Sequence, residues 1–348
     1  MEFDPQSGGM KCRFCGHTEA VIASAASVKM HPLEEGLAEI AKTSGSLGQG
    51  ALQVTCNGCG SVVSFQPPEV AGSCPFCATP IVAEPTSAEN MIAPDGVLPA
   101  KVPQEQARNL VRQWLAARWF APNALKRMAQ QEAIAGVYLP FWDWACDTDT
   151  AYTGERGEHY WETEYYTETD DKGNTVQRQQ QVQRTRWYPA SGRVERRFDS
   201  VLVAATRSVH ESRLDALEPW DLESLRAYQP EWLAGFRAQR YQVELPEGLE
   251  KAKQTMAGVI DGDVRKDIGG DEQRVLAMET TTSNTAFRHL LLPVWIGAYR
   301  FQGKLYQVVV NARTGEVQGE RPWSTAKVAL LVAAIVLAIV VLALLARH

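Results

Sequence analysis

Two cysteine pairs, Cys56-Asn57-Gly58-Cys59 and Cys74-Pro75-Phe76-Cys77, constrain this chain more than any other feature. Each C-x-x-C can close a tight knuckle whose backbone N–H groups point at the sulfurs. Four thiolates satisfy a tetrahedral zinc ion, and a site with all four positions taken by protein is structural rather than catalytic. The segment between the pairs, SVVSFQPPEVAGS, reads as two short strands joined by a proline-containing turn. Residues 52–82 are therefore expected to form a zinc ribbon that owes much of its folding energy to the metal. A redox pair, two disulfides and an iron site are the competing readings of the same spacing.

A third pair, Cys12 and Cys15, shows how the ribbon is repeated. Phe3, Pro5, Cys12, Phe14 and Cys15 align without gaps on Phe65, Pro67, Cys74, Phe76 and Cys77. The simplest account is an internal repeat, with residues 1–17 as the C-terminal half of a first, truncated zinc ribbon. Cys12 and Cys15 then supply two metal ligands and need two more. His17 or His31, a second protomer, or a start codon placed further upstream would each close the gap. The remaining cysteine, Cys146, follows PFWDWA in a strand-like segment and reads as a buried free thiol.

Charge and composition narrow the function classes. Lys and Arg number 35 against 41 Asp and Glu, for a formal charge of -6, which argues against a globally basic nucleic-acid binder. Cysteines grouped as C-x-x-C pairs point to a metal protein of a reducing compartment. The first thirty residues lack the basic start and clean apolar stretch of a secretory signal.

At the other end, Val328 to Ala346 is uncharged and apolar throughout. At ~1.5 Å per residue it would span roughly 28 Å, close to the hydrocarbon core of a bilayer. Lys327 and Arg347 bracket the run, and Trp323 sits where an interfacial anchor would. The expectation is a transmembrane tail anchor over 327–346. The protein would then be single-pass in the inner or plasma membrane, with its bulk in the cytoplasm and the lipid bilayer as a partner.

Residues 18–51 read as a helix and linker, and 83–99 as a second linker. A mixed α+β domain with an antiparallel sheet is expected over 100–322. Pro103 opens a helix running to about Trp119, and further helical segments are expected near 123–132, 219–226, 230–239 and 248–266. Strands are read in GVYLPFWDWACDTDTAYTG, FDSVLVAAT, RHLLLPVWIGAYRF and GKLYQVVV. A charged hairpin turns near 170–174. Its entering arm carries Glu158, Glu162, Glu164 and Glu168, and its leaving arm Arg178, Arg184 and Arg186. Cross-strand pairing on a solvated face is the plain reading, and a nucleic-acid strip the sharper one. An L-P-x-W core, at Leu139-Pro140-Phe141-Trp142 and Leu292-Pro293-Val294-Trp295, suggests equivalent strands in two related halves.

Catalytic signatures are missing. The sequence has no G-x-x-x-x-G-K-[ST], no H-E-x-x-H and no G-x-S-x-G. Ser324-Thr325-Ala326-Lys327 fits S-x-x-K only formally, the histidines show no ligand rhythm, and Asp147 and Asp149 lack supporting geometry. No catalytic residue and no enzyme activity are expected.

Several longer phrases carry a resemblance: ARWFAPNALKR, AGVYLPFW, SGRVERRFDSVLV, EWLAGFRAQRYQVEL and HLLLPVWIGAYRFQGKLYQVVVNARTGEVQGERPW. With the repeated ribbon, the chain resembles bacterial membrane-anchored zinc-ribbon proteins often labelled primosomal protein N-prime or replication-restart helicase-like. The resemblance implies no established reaction, and for some members a link to envelope stress. The expected function is a non-enzymatic membrane-anchored scaffold or recruitment protein, serving protein partners at the membrane in envelope stress or membrane maintenance. Zinc is the expected cofactor, held by Cys56, Cys59, Cys74 and Cys77 with Cys12 and Cys15 as an incomplete set. Nucleic acid is disfavoured and a homo-oligomer is left open. The alternatives are a membrane-tethered nucleic-acid binder and an enzyme of unrecognised type.

Overall fold

The computed structural model describes residues 1–12, 14–22, 27–40, 52–56, 58–65, 71–77, 79–82, 92–122, 134–169, 175–301 and 304–345. In chain order the N-terminal elements are β1 (Glu2–Asp4), β2 (Gly9–Lys11), β3 (Thr18–Ala20), β4 (His31–Pro32) and α1 (Leu33–Ile40). The ribbon follows with β5 (Leu52–Thr55), β6 (Val62–Phe65), β7 (Ala71–Ser73) and β8 (Pro80–Val82). The body comprises β9 (Gly96–Val97), α2 (Gln104–Ala116), β10 (Ile134–Thr169), β11 (Thr175–Ala204), α3 (Glu211–Asp215), β12 (Arg226–Ala227), β13 (Arg237–Ala238) and α4 (Leu245–Ile268). It closes with β14 (Glu272–Phe301), β15 (Lys304–Asn311), β16 (Val317–Gly319) and α5 (Thr325–Leu345). The chain divides into two compact units, one of residues 1–142, 204–248 and 288–348 and the other of 143–203 and 249–287.

The first unit is built on an internal duplication that the two L-P-x-W motifs mark. Each proline sits in a long strand, Pro140 in β10 and Pro293 in β14, where it gives up a ladder donor. Each proline carbonyl accepts an equivalent bond, Ala205 N to Pro140 O at 2.9 Å and Ala312 N to Pro293 O at 3.0 Å. A buried indole N–H needs an acceptor, and both tryptophans find one on a segment leading into a helix. Trp142 Nε1 donates to Val243 O and Trp295 Nε1 to Val102 O, each at 2.8 Å. Val102 precedes α2 and Val243 precedes α4. The lead-in strands are exchanged between the halves, β9 lying parallel to β14 at Leu290 and Leu291 and β13 parallel to β10 at Val137 and Tyr138.

The core of this unit gathers Tyr138, Trp232, Phe236, Leu291, Trp295 and Val310 with Ala107, Val111 and Leu115 of α2. Phe236 lies 4.8 Å from Trp295 and 5.2 Å from Tyr138. A side chain at Gly136 would stand 2.5 Å from the Phe236 ring, so glycine is required there for that ring to reach the core. β14 and β15 pair antiparallel from Phe301↔Lys304 to Val294↔Asn311, and β16 adds outside β15.

His289 is buried between Trp142, at 4.9 Å, and Tyr241, at 5.6 Å. Its Nδ1 lies 3.1 Å from Ile92 O. Burial pushes its pKa down to about 4 from an ordinary 6.5. The folded protein keeps the ring neutral while the unfolded chain takes up a proton near pH 6.5. Stability is therefore complete above about 6.5 and falls towards about pH 4, by on the order of 3 kcal/mol in all. Denaturant midpoints across that range should show the loss, and His289→Phe should flatten it.

The second unit packs α4 against β10, β11 and β14. Ala252, Met256, Ile260 and Val264 are buried on one face of the helix, as the spacing of residues 248–266 predicts. Cys146 Sγ lies 3.5 Å from Met256 Sδ, and burial pushes its thiol pKa up, as befits a buried free thiol. Arg184 pairs with both Glu162 and Glu164, and Arg178 with Glu168 at 2.8 Å. The hairpin's charges thus answer one another across the strands.

Several expectations need correction. FDSVLVAAT is no separate strand but the end of β11, and the entering arm belongs to β10. Residues 219–226 and 230–239 hold only single 3-10 turns, at Leu222–Ser224 and Pro230–Leu233, together with short β contacts. The helix expected near 123–132 and the turn at 170–174 lie outside the described residues.

The largest correction concerns the tail. Among the described residues no helix is long and apolar enough to cross a membrane. The residues expected to flank the anchor on its N-terminal side are engaged with the body, and Arg347 lies outside the described residues. Lys327 Nζ donates to Trp119 O at 2.8 Å and Ala121 O at 2.9 Å, and Trp323 stacks on Phe120 at 5.3 Å. This overturns the anchor over 327–346, the bilayer as partner and the single-pass membrane location. With them go the membrane-anchored scaffold and the membrane-tethered nucleic-acid binder. The fold is a mixed α+β domain with an antiparallel sheet and a buried cluster of four cysteines.

Candidate metal centre

The centre forms where two knuckles face each other. In the first, Cys56 N donates to Ser61 O at 2.9 Å and Gly60 N to Cys56 O at 2.8 Å. Gly60 takes φ +72, a conformation that favours glycine. In the second, Cys74 N donates to Thr79 O at 2.8 Å. Strands β5 and β6 pair from Leu52↔Phe65 to Thr55↔Val62 and deliver the first knuckle; β7 and β8 deliver the second. A Cβ at Gly58 would fall 2.3 Å from Thr79 Oγ1 and 3.3 Å from Cys77 Sγ, so a bare glycine is what lets the knuckles close.

The four sulfurs of Cys56, Cys59, Cys74 and Cys77 lie within 4.8 Å of one another. Cys56 Sγ is 3.5 Å from Cys77 Sγ, and Cys59 Sγ is 3.6 Å from Cys74 Sγ. Tetrahedral metal–sulfur bonds of ~2.3 Å would place the sulfurs roughly 3.8 Å apart, so the cluster is compatible with a metal ion at its centre. Burial pushes the Cys74 and Cys59 thiols up. Burial acts the same way on Cys77, yet hydrogen bonding with Thr79, Cys59 and Cys56 outweighs it and holds that thiol down to about 7. Gly58 N also donates to Cys56 Sγ at 3.4 Å.

The second knuckle is attached to the body. Phe76 is wholly buried, and its carbonyl accepts a 2.5 Å bond from Gln307 Nε2 of β15. That amide also faces Ser208 O at 3.4 Å. Sequence spacing gave no sign of this residue, because glutamine on a strand carries no signature of what it will hold. Gln307→Leu should release the knuckle at a cost of about 1–2 kcal/mol, seen as faster hydrogen exchange at 71–82 with the body's melting hardly changed.

Cys12 and Cys15 do not join this cluster. They form a third knuckle on the sheet β1-β2-β3, with Cys15 exposed. Backbone N–H groups of Cys15 and Phe14 hold the Cys12 thiol below its ordinary range. Of the two histidines considered as their ligands, His31 sits 2.7 Å from Asp95 and His17 is exposed.

An open depression of about 340 Å³ in the second unit is lined by Asp147, Asp149, Glu195, Arg196 and Arg197 among others. Two of its acids face bases: Arg193 lies 2.8 Å from Asp149, and Arg197 4.0 Å from Asp147. Asn284 Nδ2 donates to Asp147 at 2.8 Å.

Fold and site together define an α+β protein that carries a four-cysteine cluster. No family model matches the chain, and no solved structure does. It is 25% identical over 242 residues to the uncharacterized protein YdjG of Bacillus subtilis (strain 168), covering 68% of this chain and 66% of that protein. The matched stretch spans just under two thirds of YdjG. This distant likeness to an uncharacterized protein replaces the resemblance to membrane-anchored zinc-ribbon or helicase-like proteins, which also requires a membrane-crossing helix that the described residues do not provide.

Proposed function

We propose that Cys56, Cys59, Cys74 and Cys77 bind zinc as thiolates, and that the chain is a non-catalytic zinc-ribbon protein. The observation that carries this reading is the convergence of four sulfurs within 4.8 Å on two knuckles that the bare Gly58 allows to close. An all-sulfur set favours a soft or borderline cation, and with four protein ligands no position is left for water or substrate. The metal's work there is to close the ribbon and, through Phe76 and Gln307, to fix it to the body.

Two features of the second unit support a non-catalytic reading and weigh against nucleic acid. Of the acids around the open depression, Asp147 and Asp149 are engaged by arginines and an asparagine, which makes them poor candidates for a general base. Arg178 and Arg184 of the hairpin are likewise spent on glutamates, and a phosphate would have to displace a carboxylate to reach them.

Elemental analysis of the full chain, purified without added metal, tests the assignment. Zinc should be present and should be lost from the four-cysteine centre in Cys56→Ser/Cys74→Ser. Retention of the same zinc content by that variant would refute it.

A further inference from the structure

We propose that the Cys12–Cys15 knuckle is half of a second thiolate metal site, closed by the same knuckle of a second copy of this chain. The inference rests on reading the Cys56–Cys77 cluster as a zinc centre, because it starts from geometry the knuckles share.

That likeness is close. Cys12 N donates to His17 O at 2.8 Å and Gly16 N to Cys12 O at 3.0 Å, and Gly16 takes φ +71. The knuckle at Cys56 has the same two bonds, at 2.9 and 2.8 Å, with Gly60 at φ +72. At Cys56 the loop held this way contributes two sulfurs, those of Cys56 and Cys59, to the four-sulfur cluster.

The knuckle is also held firmly. Phe3 of β1 is buried against Trp232 at 5.4 Å, and its N–H donates to Ala234 O at 2.8 Å. β2 pairs with β1 on one side and β3 on the other, and the cysteines lie between β2 and β3. This frame carries Cys15 and Phe14 outward, with the phenyl ring 100% exposed.

Among the other cysteines of this sequence, none is placed to complete the set. Of seven, four converge in the ribbon and Cys146 is buried beside Met256. Two copies meeting across a two-fold axis would supply four thiolates from two identical knuckles. The two exposed Phe14 rings would be covered in the same step. The ligand is a soft or borderline divalent cation, zinc above all, at one ion per two chains.

The test uses the full chain under reducing conditions with zinc, read by elemental analysis and by mass in solution. The proposal expects a dimer with about 1.5 zinc ions per chain that a chelator converts to monomer. Cys12→Ser/Cys15→Ser should be monomeric with about 1.0. Cys56→Ser/Cys74→Ser should stay dimeric with about 0.5, which separates failure of this site from failure of the ribbon site. A wild-type monomer, whatever its zinc content, overturns the proposal. So does a dimer that survives in Cys12→Ser/Cys15→Ser, or one that resists chelator and yields only to stronger reductant.

Discussion

Cys74→Ser is expected to lose the ribbon's metal and, with it, the ordered structure of residues 52–82. Structural zinc sites contribute on the order of 10 kcal/mol or more of apparent binding energy near neutral pH, and that energy is folding energy for the module that closes around the ion. Strands β5–β8 are too short to hold together by pairing alone. Chelation of the wild type should give the same result reversibly. Limited proteolysis should then cut within 52–82 while the body keeps a melting transition of its own. Hydrogen exchange at 71–82 should rise with it, since Phe76 reaches Gln307 from the second knuckle. Removing the metal also frees thiols to take up protons, so zinc affinity should fall as pH is lowered. An intact, protease-resistant ribbon in metal-free Cys74→Ser would refute this dependence.

Trp142→Ala should produce the largest loss of stability from a single change in the body, about 3–5 kcal/mol. The ring is fully buried beside His289 and Tyr241, and a side chain at Gly248 would stand 2.6 Å from it. Truncation would leave a cavity in this packing and strand Val243 O without its indole donor. Trp142→Phe keeps most of the buried area and loses the hydrogen bond, so it should cost about 1–3 kcal/mol. Urea denaturation of the three proteins gives both numbers. Near-equal losses for the two variants would mean that the hydrogen bond dominates, contrary to the packing argument.

The sequence made the ribbon legible because its chemistry is local: knuckle spacing and the glycines after Cys15 and Cys59 specify it without reference to distant residues. The two L-P-x-W motifs were legible as a repeat for a similar reason. What the spacing could not show was the exchange, in which each tryptophan finds its acceptor on the lead-in of the other half. Such pairing depends on residues far apart, Trp142 on Val243 and Trp295 on Val102.

The long strands were misjudged through their glycines. Gly154 and Gly157 resemble breaks, but both lie inside β10. A Cβ at Gly154 would fall 2.5 Å from Arg274 O, and one at Gly157 2.7 Å from a Thr185 methyl. They mark close approaches to neighbouring strands rather than turns. Trp232, Leu233 and Phe236 have helical spacing, yet they plug the core from a 3-10 turn and the chain after it, because an apolar run this short has no unique period. In the tail, hydropathy registered composition alone. It could not show that Lys327 is bound to the carbonyls of Trp119 and Ala121.

X-ray absorption at the zinc edge of Cys12→Ser/Cys15→Ser, purified without added metal, tests the central claim most directly, because only the ribbon cysteines then remain to form a centre. The account predicts one zinc per chain with a first shell of four sulfurs at about 2.3 Å. No zinc, or a shell containing nitrogen or oxygen, would contradict it.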